Sequence, residues 1–396
     1  MDNETHVGRR IAYWRKRRGL SHATLAGLSG ISTSYLSKIE QGERVLDRLS
    51  VLYAIADVLR VSLADMLGDG VEPRPAGDTP LDQSAGIAGV RRAVLELGGA
   101  TVDAPGADQL RADLERAERL GQDGSLAALG EVLPDLIAAC RAAVSDDVRG
   151  AWWCLSGAYR EAAGLARALG DMQLLWIAAD RATVAAERSG DEVLVSAARR
   201  QVSHALMRQG WLDEAASVCS DAADRLAPTD ASAKPVWAVW GGLQLTQAVI
   251  LSLQEDAGGA HRVLRGVRPA ADRVGPGRDD YGEAFGPAWV GAHEVKVTLE
   301  MGDPVEALRL ADRVEVDELP TGERRARFAL WVAHAHVLRH DDAAAVGWML
   351  EAERHSAEVT HHQGLAHKIV RGCLRRERKS RTPALRGLAD RLCVLD

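Results

Sequence analysis

The chain has 396 residues and a formal net charge of −7, a length that suits a small domain followed by a larger one. Its five cysteines are scattered with no Cys-x-x-Cys pair, which argues against a zinc site and against a disulfide framework. We find no apolar run that we expect to span a bilayer, and the first residues do not resemble a secretory signal. We therefore expect a cytoplasmic protein without a membrane partner.

The segment 21–40 predicts two short helices joined by a tight turn. Ser21 and Ser32 stand where a side chain that caps a helix is preferred. Gly30 stands where the first helix must stop and the chain must reverse, a position that often needs a positive φ. This arrangement of two helices is the one that places the second helix in the major groove of DNA.

The second of these helices has an apolar face and a polar face. Leu36 and Ile39 are expected to point inward at helical spacing. Short polar groups and one cation remain on the outer face, and such groups suit base edges and phosphates. These candidates for base contacts are Thr33, Ser34, Ser37 and Lys38.

The neighbouring sequence completes a domain of five helices over residues 1–68. A first helix is expected from Thr5 or His6 to Arg18, a fourth from Asp47 to Arg60, and a last one from Ser62 through Leu67. Several ordered motifs in this region resemble the Cro/C1-type (XRE) helix-turn-helix family. They are Arg-Arg-Gly-Leu-Ser (17–21), Leu-Ala (25–26), Gly-Ile-Ser (30–32), Leu-Ser-Lys-Ile-Glu-Gln-Gly (36–42) and Val-Ser-Leu-Ala-Asp-Met-Leu (61–67).

The resemblance implies roles for individual positions. The four outer residues of the second helix are expected to contact bases, and Arg15 and Glu40 to form an internal ion pair. His22 stands where the family most often has Gln, so its expected phosphate contact is weaker and pH-dependent. Alternatively, the basic residues near the end of the first helix form a solvated helix face and do not contact DNA. The other expected phosphate contacts are Arg17, Arg18, Arg44 and Arg48.

The charge is divided unevenly along the chain. Residues 1–67 carry ten Lys and Arg against seven Asp and Glu, a net of +3, so the remainder carries −10 of the total −7. We do not expect the acidic remainder to bind nucleic acid, because neutralisation of phosphates supplies most non-specific affinity. We call this N-terminal domain the head. With a net charge of +3, a single head would bind one half-site weakly. We therefore expect a homodimer that brings two heads to half-sites about 34 Å apart on double-stranded DNA.

A proline-containing stretch over residues 69–84 predicts a linker. Residues 85–396 then show helices in pairs of roughly 35–40 residues, a period similar to that of tetratricopeptide repeats. We predict an all-α chain in which the helix-turn-helix domain precedes an α-solenoid for dimerisation, effector binding or both. Predicted pairs are Trp152–Leu169 with Leu174–Arg188, Val193–Arg208 with Asp213–Leu226, Glu283–Met301 with Val305–Val314, and Arg324–Arg339 with Ala343–Glu358.

A stretch from Pro269 to Pro287 interrupts the repeats, and a loop this long is uncommon unless it acts as a lid or a binding loop. Aromatic residues in and near it could line an effector pocket. Packing between helices is the alternative for the tryptophans, which all follow the linker apart from Trp14. The pocket candidates are Trp237, Trp240, Tyr281, Phe285, Trp289 and His293.

We find no signature of metal binding or catalysis. His336 and His340 have the spacing of two zinc ligands on a helix, but no third ligand completes a site. A phosphate-binding glycine loop, a nucleophile elbow and the kinase motifs are all missing from the sequence. We expect neither a cofactor nor enzymatic activity.

The whole pattern resembles a group of actinobacterial regulators that join a Cro/C1-type head to a tetratricopeptide-like domain. Motifs at the end of the interruption and after it carry this resemblance, among them Phe-Gly-Pro (285–287) and Glu-x-Gly-Asp-Pro-x-Glu-Ala-Leu (300–308). It implies a homodimeric transcriptional regulator that binds an inverted-repeat operator and responds to a small-molecule or peptide effector. Two alternatives stay open: an adaptor whose repeats recruit a protein to DNA, and a head that binds no DNA.

Overall fold

The computed structural model describes residues 7–8, 11–12, 14–16, 18, 20–41, 49–59, 86–95, 104–377 and 383–394. Within these ranges the secondary structure is helical and contains no strand, so the prediction of an all-α chain is confirmed. Contacts divide the chain into two compact units, Met1–Asp82 and Gln83–Asp396. The linker predicted over 69–84 lies outside the described residues.

The first unit contains the two helices and the turn that the sequence predicts. Residues 7–8, 11–12 and 14–16 are helical, followed by α1 (His22–Leu28), α2 (Thr33–Glu40) and α3 (Leu49–Leu59). The helix expected from Ser62 lies outside the described residues. The buried core of this unit comprises Ile11, Leu25, Ala26, Leu36, Ile39, Ile55, Ala56 and Leu59.

The second unit consists of helices joined mostly by short turns. They are α4 (Ile87–Leu95), α5 (Ala107–Asp123), α6 (Leu126–Ser145), α7 (Ala151–Leu169), α8 (Met172–Ser189), α9 (Glu192–Arg208), α10 (Leu212–Leu226), α11 (Lys234–Leu253), α12 (Ala257–Val274), α13 (Pro287–Glu300), α14 (Pro304–Ala311), α15 (Gly322–Leu338), α16 (Asp342–His355), α17 (Ala357–His362), α18 (Gly364–Arg376) and α19 (Pro383–Arg391).

Consecutive helices from α5 to α16 pack as pairs, as the sequence predicts. Local residues explain the turns: Gly170 has a φ of +77°, and the Asp171 side chain accepts a hydrogen bond from the backbone of α8. Small residues at the pair contacts let the helix axes approach closely. Four such alanines are completely buried: Ala162, Ala215, Ala307 and Ala345.

The first helices of the six pairs form a closed circuit. Each of α5, α7, α9, α11, α13 and α15 packs against the next one, and α15 packs against α5. A Cβ atom on Gly322, at the start of α15, would lie 3.2 Å from the carbonyl oxygen of Asp123 at the end of α5. The second helices of the pairs lie outside this circuit, which we call the inner ring.

Polar contacts between the two ends of the repeat array complete the closure. The Ser356 hydroxyl donates to the backbone oxygen of Gly124 at 3.0 Å and also accepts from the backbone N–H of Val359. The backbone N–H of Ala127 donates to the Glu358 carboxylate at 2.7 Å. One buried hydrophobic cluster also joins residues of α5 to α8 with Ala326 and other late residues.

Several helices begin or end at residues other than the predicted ones. α12 continues through the exposed Pro269 to Val274, and the residues that follow the proline, Ala270, Ala271 and Val274, are buried in the core. The helix expected from Glu283 begins instead at Pro287, since the preceding residues are held in the interior by side-chain contacts. The helix expected to reach Glu358 ends at His355, where Ser356 caps a new helix.

One helix of the described chain, α11, is long and apolar enough to cross a membrane, which corrects the expectation that no such run exists. Inside the second unit 61% of its apolar window is buried. Residues from both its faces belong to core clusters, including Val239 and Leu245. Its apolar character is therefore that of a central core helix.

The C-terminal helix α19 covers the end of the repeat array. Leu385, Leu388 and Ala389 are buried in a cluster with residues of α15, α16 and α18. Two arginines in this region are paired: Arg376, at the end of α18, donates to Asp342, and Arg386, within α19, donates to Glu377. A terminal helix of this kind shields the apolar face of the last pair.

We predict that Ser356→Ala destabilises the second unit by about 1–3 kcal/mol, because it removes a helix cap and a buried hydrogen bond to Gly124 together. Calorimetric unfolding of the full chain measures the change. Ser145→Ala is the matched control, since this exposed hydroxyl bonds only within its own helix turn, and we expect an effect within about 0.5 kcal/mol. Equal effects of the two substitutions would contradict the role of Ser356 in closure.

Candidate nucleic-acid interface

The turn between α1 and α2 has the geometry that the sequence predicts. The Ser21 hydroxyl accepts a hydrogen bond from the backbone N–H of Thr24 at 3.0 Å, and that of Ser32 accepts from Tyr35 at 3.2 Å. Gly30 has a φ of +69°, a conformation that strains residues with a Cβ atom. These three local features fix the angle between the two helices.

The two faces of α2 differ sharply in exposure. Leu36 and Ile39 are buried, with 0% and 2% of their surface accessible. Thr33, Ser34 and Lys38 are exposed, and Ser37 is half-buried. The predicted base-contacting residues therefore form one accessible row of hydroxyl and ammonium groups, as an inserted helix requires.

A buried ion pair joins α2 to the helix before α1. The Arg15 guanidinium donates to both carboxylate oxygens of Glu40, at 2.7 and 2.8 Å, and also to the backbone oxygen of Leu20 at 3.1 Å. These hydrogen bonds raise the pKa of Arg15, although burial opposes the shift. The pair that the family resemblance implies is present, and it fixes the far end of α2.

His22 lies beside this ion pair. Its Nε2 atom is 3.0 Å from Glu40 Oε2 and 3.2 Å from an Arg15 nitrogen. The same atom can donate to the carboxylate when it carries a proton, or accept from the guanidinium when it does not. The other side of the ring stays accessible, with 41% of the side chain exposed, so the predicted phosphate contact stays a prediction.

The other predicted phosphate contacts are described only in part. The Nε of Arg18 donates to the backbone oxygen of Leu59 at 3.1 Å, which ties the first helical segment to the end of α3. Arg18 is nevertheless exposed. Arg17, Arg44 and Arg48 lie outside the described residues, and so does Gly42.

Most of the predicted pocket aromatics belong to one hydrophobic cluster in the second unit. Phe285 and Trp289 are core residues with 1% and 3% exposure. Trp237 and Trp240 are half-buried and meet edge to face at 5.9 Å. A small cleft next to Phe285 and Trp289 is bordered by the loop 276–278.

His293 packs against two tryptophans of the same cluster that stack on each other. Its ring centroid lies 4.5 Å from that of Trp289 and 5.7 Å from that of Trp331. Its Nδ1–H donates to the Trp289 backbone oxygen at 3.0 Å. Burial lowers the pKa of His293 to about 3, so the ring is neutral near pH 7.

Tyr281 lies apart from these aromatics. Its hydroxyl donates to the Asp191 carboxylate at 2.9 Å, and its ring meets Trp153 edge to face at 6.3 Å. Its backbone has a φ of +53°, which is rare for a residue with a bulky side chain. The interrupting loop therefore turns into the second unit at this point.

The sequence analysis missed a group of charged side chains in that interior. Arg160, Arg167, Arg200 and Arg327 lie on helices of the inner ring, on which we expected small and apolar residues. Spacing offered one signal: Arg200 and His204 stand four residues apart, as do Glu323 and Arg327, so each pair shares a helix face.

Comparison with known proteins identifies the first unit. A family model described as a helix-turn-helix domain matches residues 6–67. The HTH-type transcriptional regulator SlrR of Bacillus subtilis (strain 168) is 42% identical over 60 residues, which are 15% of this chain and 40% of that protein. SinR of Bacillus licheniformis is 35% identical over 63 residues, 16% of this chain and 57% of that protein. The chain thus spans about half of the length of these relatives.

Two solved structures align over most of the chain with low similarity. One is Bacillus thuringiensis PlcR in complex with the peptide PapR7 and DNA, at 10% identity and a TM-score of 0.36, covering 85% of this chain and 98% of the other. The second is the apo form of ComR from S. thermophilus, at 13% identity and a TM-score of 0.31, covering 88% and 99%. TM-scores this low do not establish a shared fold. Residues 6–67 are a helix-turn-helix domain of the Cro/C1 (XRE) type.

Proposed function

We propose that this protein is a sequence-specific transcriptional regulator that binds DNA as a homodimer and responds to an effector in its second unit. The observation that carries the proposal is the exposed row on α2, held on a helix whose caps, turn and buried ion pair fix its orientation. The two relatives named above are HTH-type transcriptional regulators, and they support the proposal for the N-terminal domain only.

In this proposal α2 enters the major groove. Thr33, Ser34 and Ser37 offer hydroxyls to base edges, and Lys38 offers an ammonium to a guanine or to a phosphate. His22, Arg17, Arg18, Arg44 and Arg48 hold the phosphate backbone and so fix the register of the head on the duplex.

The second unit is proposed to set the geometry of the dimer in the cytoplasm. Residues 1–68 form the DNA-binding domain, 69–84 the linker, and 85–396 the dimerisation and effector domain. An effector that prefers one arrangement of the repeats changes the spacing of the two heads and thereby the affinity for paired half-sites. The residues that stay proposed as candidates for an effector pocket are Trp237, Trp240, Tyr281, Phe285, Trp289 and His293.

An adaptor that recruits a partner protein to DNA is the second candidate function. Exposed aromatic surface on the second unit favours it: Trp176 and Trp211 are 38% and 50% exposed and meet edge to face at 6.4 Å. Exposed tryptophans are enriched where proteins bind each other. In this alternative the head anchors the complex, and the repeats do not change its affinity for DNA.

We expect the full chain to retain a small set of genomic fragments that share an inverted repeat. The measurement incubates the purified protein with fragmented DNA from its source at about physiological salt, where non-specific binding is weak, and sequences what is retained. Half-sites with centres about 34 Å apart, or a multiple of this, agree with a two-fold dimer. Retention of fragments with no common motif would contradict sequence-specific regulation.

We predict that Lys38→Ala and Ser34→Ala each weaken binding to a retained site by about 1–3 kcal/mol, since each removes a contact to the DNA. If Lys38 holds a phosphate, its loss also lowers the slope of log affinity against log salt by about 1. Affinity is measured by titration of a labelled duplex. Lys368→Ala is the matched control, because this lysine is exposed on the second unit. Unchanged binding in both head variants would refute α2 as the contact helix.

A further inference from the structure

Charged side chains of the inner ring meet inside the second unit. Arg167 on α7 interacts electrostatically with Arg208 on α9 and with Glu323, Arg324 and Arg327 on α15. The helices α7 and α15 are not neighbours in the circuit of inner helices. Their charges therefore approach one another across the interior of the ring.

Part of this interior is neutralised by the loop between α12 and α13. The Glu283 carboxylate lies 2.9 and 2.8 Å from two nitrogens of Arg200. The same residue accepts a hydrogen bond at its backbone oxygen from Arg324, at 3.2 Å, and Arg160 donates to the backbone oxygen of Tyr281. The loop thus supplies anionic and carbonyl oxygens to three arginines.

The adjacent part of the interior has an excess of cations. The Arg167 guanidinium has no hydrogen bond or ion pair within the described part of the chain, and its Nε is buried. Arg208 donates to the backbone oxygen of Arg167 at 3.4 Å. Arg327 pairs with Glu323, but its buried Nε has no acceptor among the described residues. Glu323 is thus the partner of both Arg327 and Arg324. Burial raises the pKa of Glu161, the other carboxyl group near Arg167, to about 8, so Arg167 and Arg208 have no ionised partner among the described residues.

The electrostatics of these groups agree with an uncompensated positive charge. Burial, and then the charges of Arg327 and its neighbours, hold the pKa of Arg167 well below its usual range. Burial also holds the pKa of His204 well below its usual range, and nearby arginines add to the effect. Although burial opposes the shift, Arg327 and Arg324 lower the pKa of Glu323 to about 2, so this carboxylate is ionised and already occupied.

The excess of cations is accessible from solvent. Arg208 is exposed, and Arg327 retains 20% of its side-chain surface. Solvent therefore reaches this group of arginines at Arg208, and in part at Arg327 and at the half-buried Arg167. Like charges held together in a partly dry site raise the free energy of the folded chain unless an anion joins them.

We infer that Arg167, Arg208 and Arg327 bind a small, doubly charged oxyanion, either a phosphate ester or a dicarboxylate. Guanidinium groups match such oxygens with paired N–H donors. The Nε2 of His204 lies 3.2 Å from a nitrogen of Arg200, which leaves its Nδ1 as a further neutral donor. The site joins helices from the beginning and the end of the repeat array, so its occupant reinforces the closure of the ring.

Binding of the oxyanion does not depend on whether the protein binds DNA. Only its role as the effector rests on the proposed function. Inorganic phosphate, sulfate and malonate serve as probes, with sodium chloride at equal ionic strength as the reference. We expect each dianion to raise the melting temperature of the full chain in a saturable manner, because a ligand that binds only the folded state stabilises it. Calorimetric titration is expected to give one site per chain.

The decisive variants are Arg167→Gln and Arg208→Gln. Each is expected to weaken dianion binding by about tenfold or more, since hydrogen bonds to charged groups are strong. Arg167→Gln is also expected to leave the melting temperature without a dianion unchanged or higher, because it removes a repelled charge; a merely structural arginine would lower it. Arg188→Gln, at an exposed arginine of α8, is the matched control.

The outcomes separate the two proposals. A saturable shift that is lost in both variants establishes the anion site, whether or not the protein binds DNA. If the dianion raises the melting temperature in this way but does not change the affinity for DNA, the anion site is established and its role as the effector site is refuted. Absence of a dianion-specific shift, or a shift that both variants retain, overturns the inference. Titration with phosphate esters and with dicarboxylates then distinguishes the two sources of the oxyanion.

Discussion

The contact between α15 and α5 determines what the second unit can contain. Helix pairs that stack in series leave a groove when their ends stay apart, and an enclosed space when their ends meet. Here Gly322 approaches the backbone of Asp123, and Ser356 bonds to Gly124. The inner helices consequently surround an interior in which charged side chains from several helices lie close together and are partly buried. Electrostatic interactions in such a space are stronger than on an open surface.

The first unit also depends on one contact between residues that are distant in sequence, the ion pair of Arg15 and Glu40. Two serine caps and Gly30 orient α1 and α2 through contacts no more than a few residues apart, whereas Arg15 and Glu40 are joined over 25 positions. The ion pair can hold α2 in place because three hydrogen bonds satisfy its guanidinium in a buried setting. The polar row on α2 then needs no support from the ligand to present its hydroxyls in one direction.

The sequence predicted what short-range chemistry decides. Caps at Ser21 and Ser32, the positive φ of Gly30 and the pairing of the helices all follow from residue type and spacing. Pro269 predicted an interruption, because a proline inside a helix removes a hydrogen bond and crowds the preceding turn. The burial of α12 residues on both sides of this proline offsets that cost. Ring closure was beyond prediction, since Ser356 and Gly124 are 232 positions apart and nothing in either residue signals the other. That α2 contacts DNA is predicted by the sequence and supported by the exposed polar residues of the structure, and it stays a prediction.

The interior charges explain why the interrupting loop has its strained course. Tyr281 and Ala284 both have positive φ values, of 53° and 45°, and each such residue costs about 1–3 kcal/mol. That strain persists because it delivers Glu283 to Arg200, where the carboxylate neutralises a charge that the closed ring cannot expose to water. The loop thus serves as a built-in anion for one half of the interior. In the other half Glu323 is the partner of Arg327 and Arg324, and no carboxylate bonds to Arg167 among the described residues, so the anion that we propose there would take the part that Glu283 takes beside Arg200.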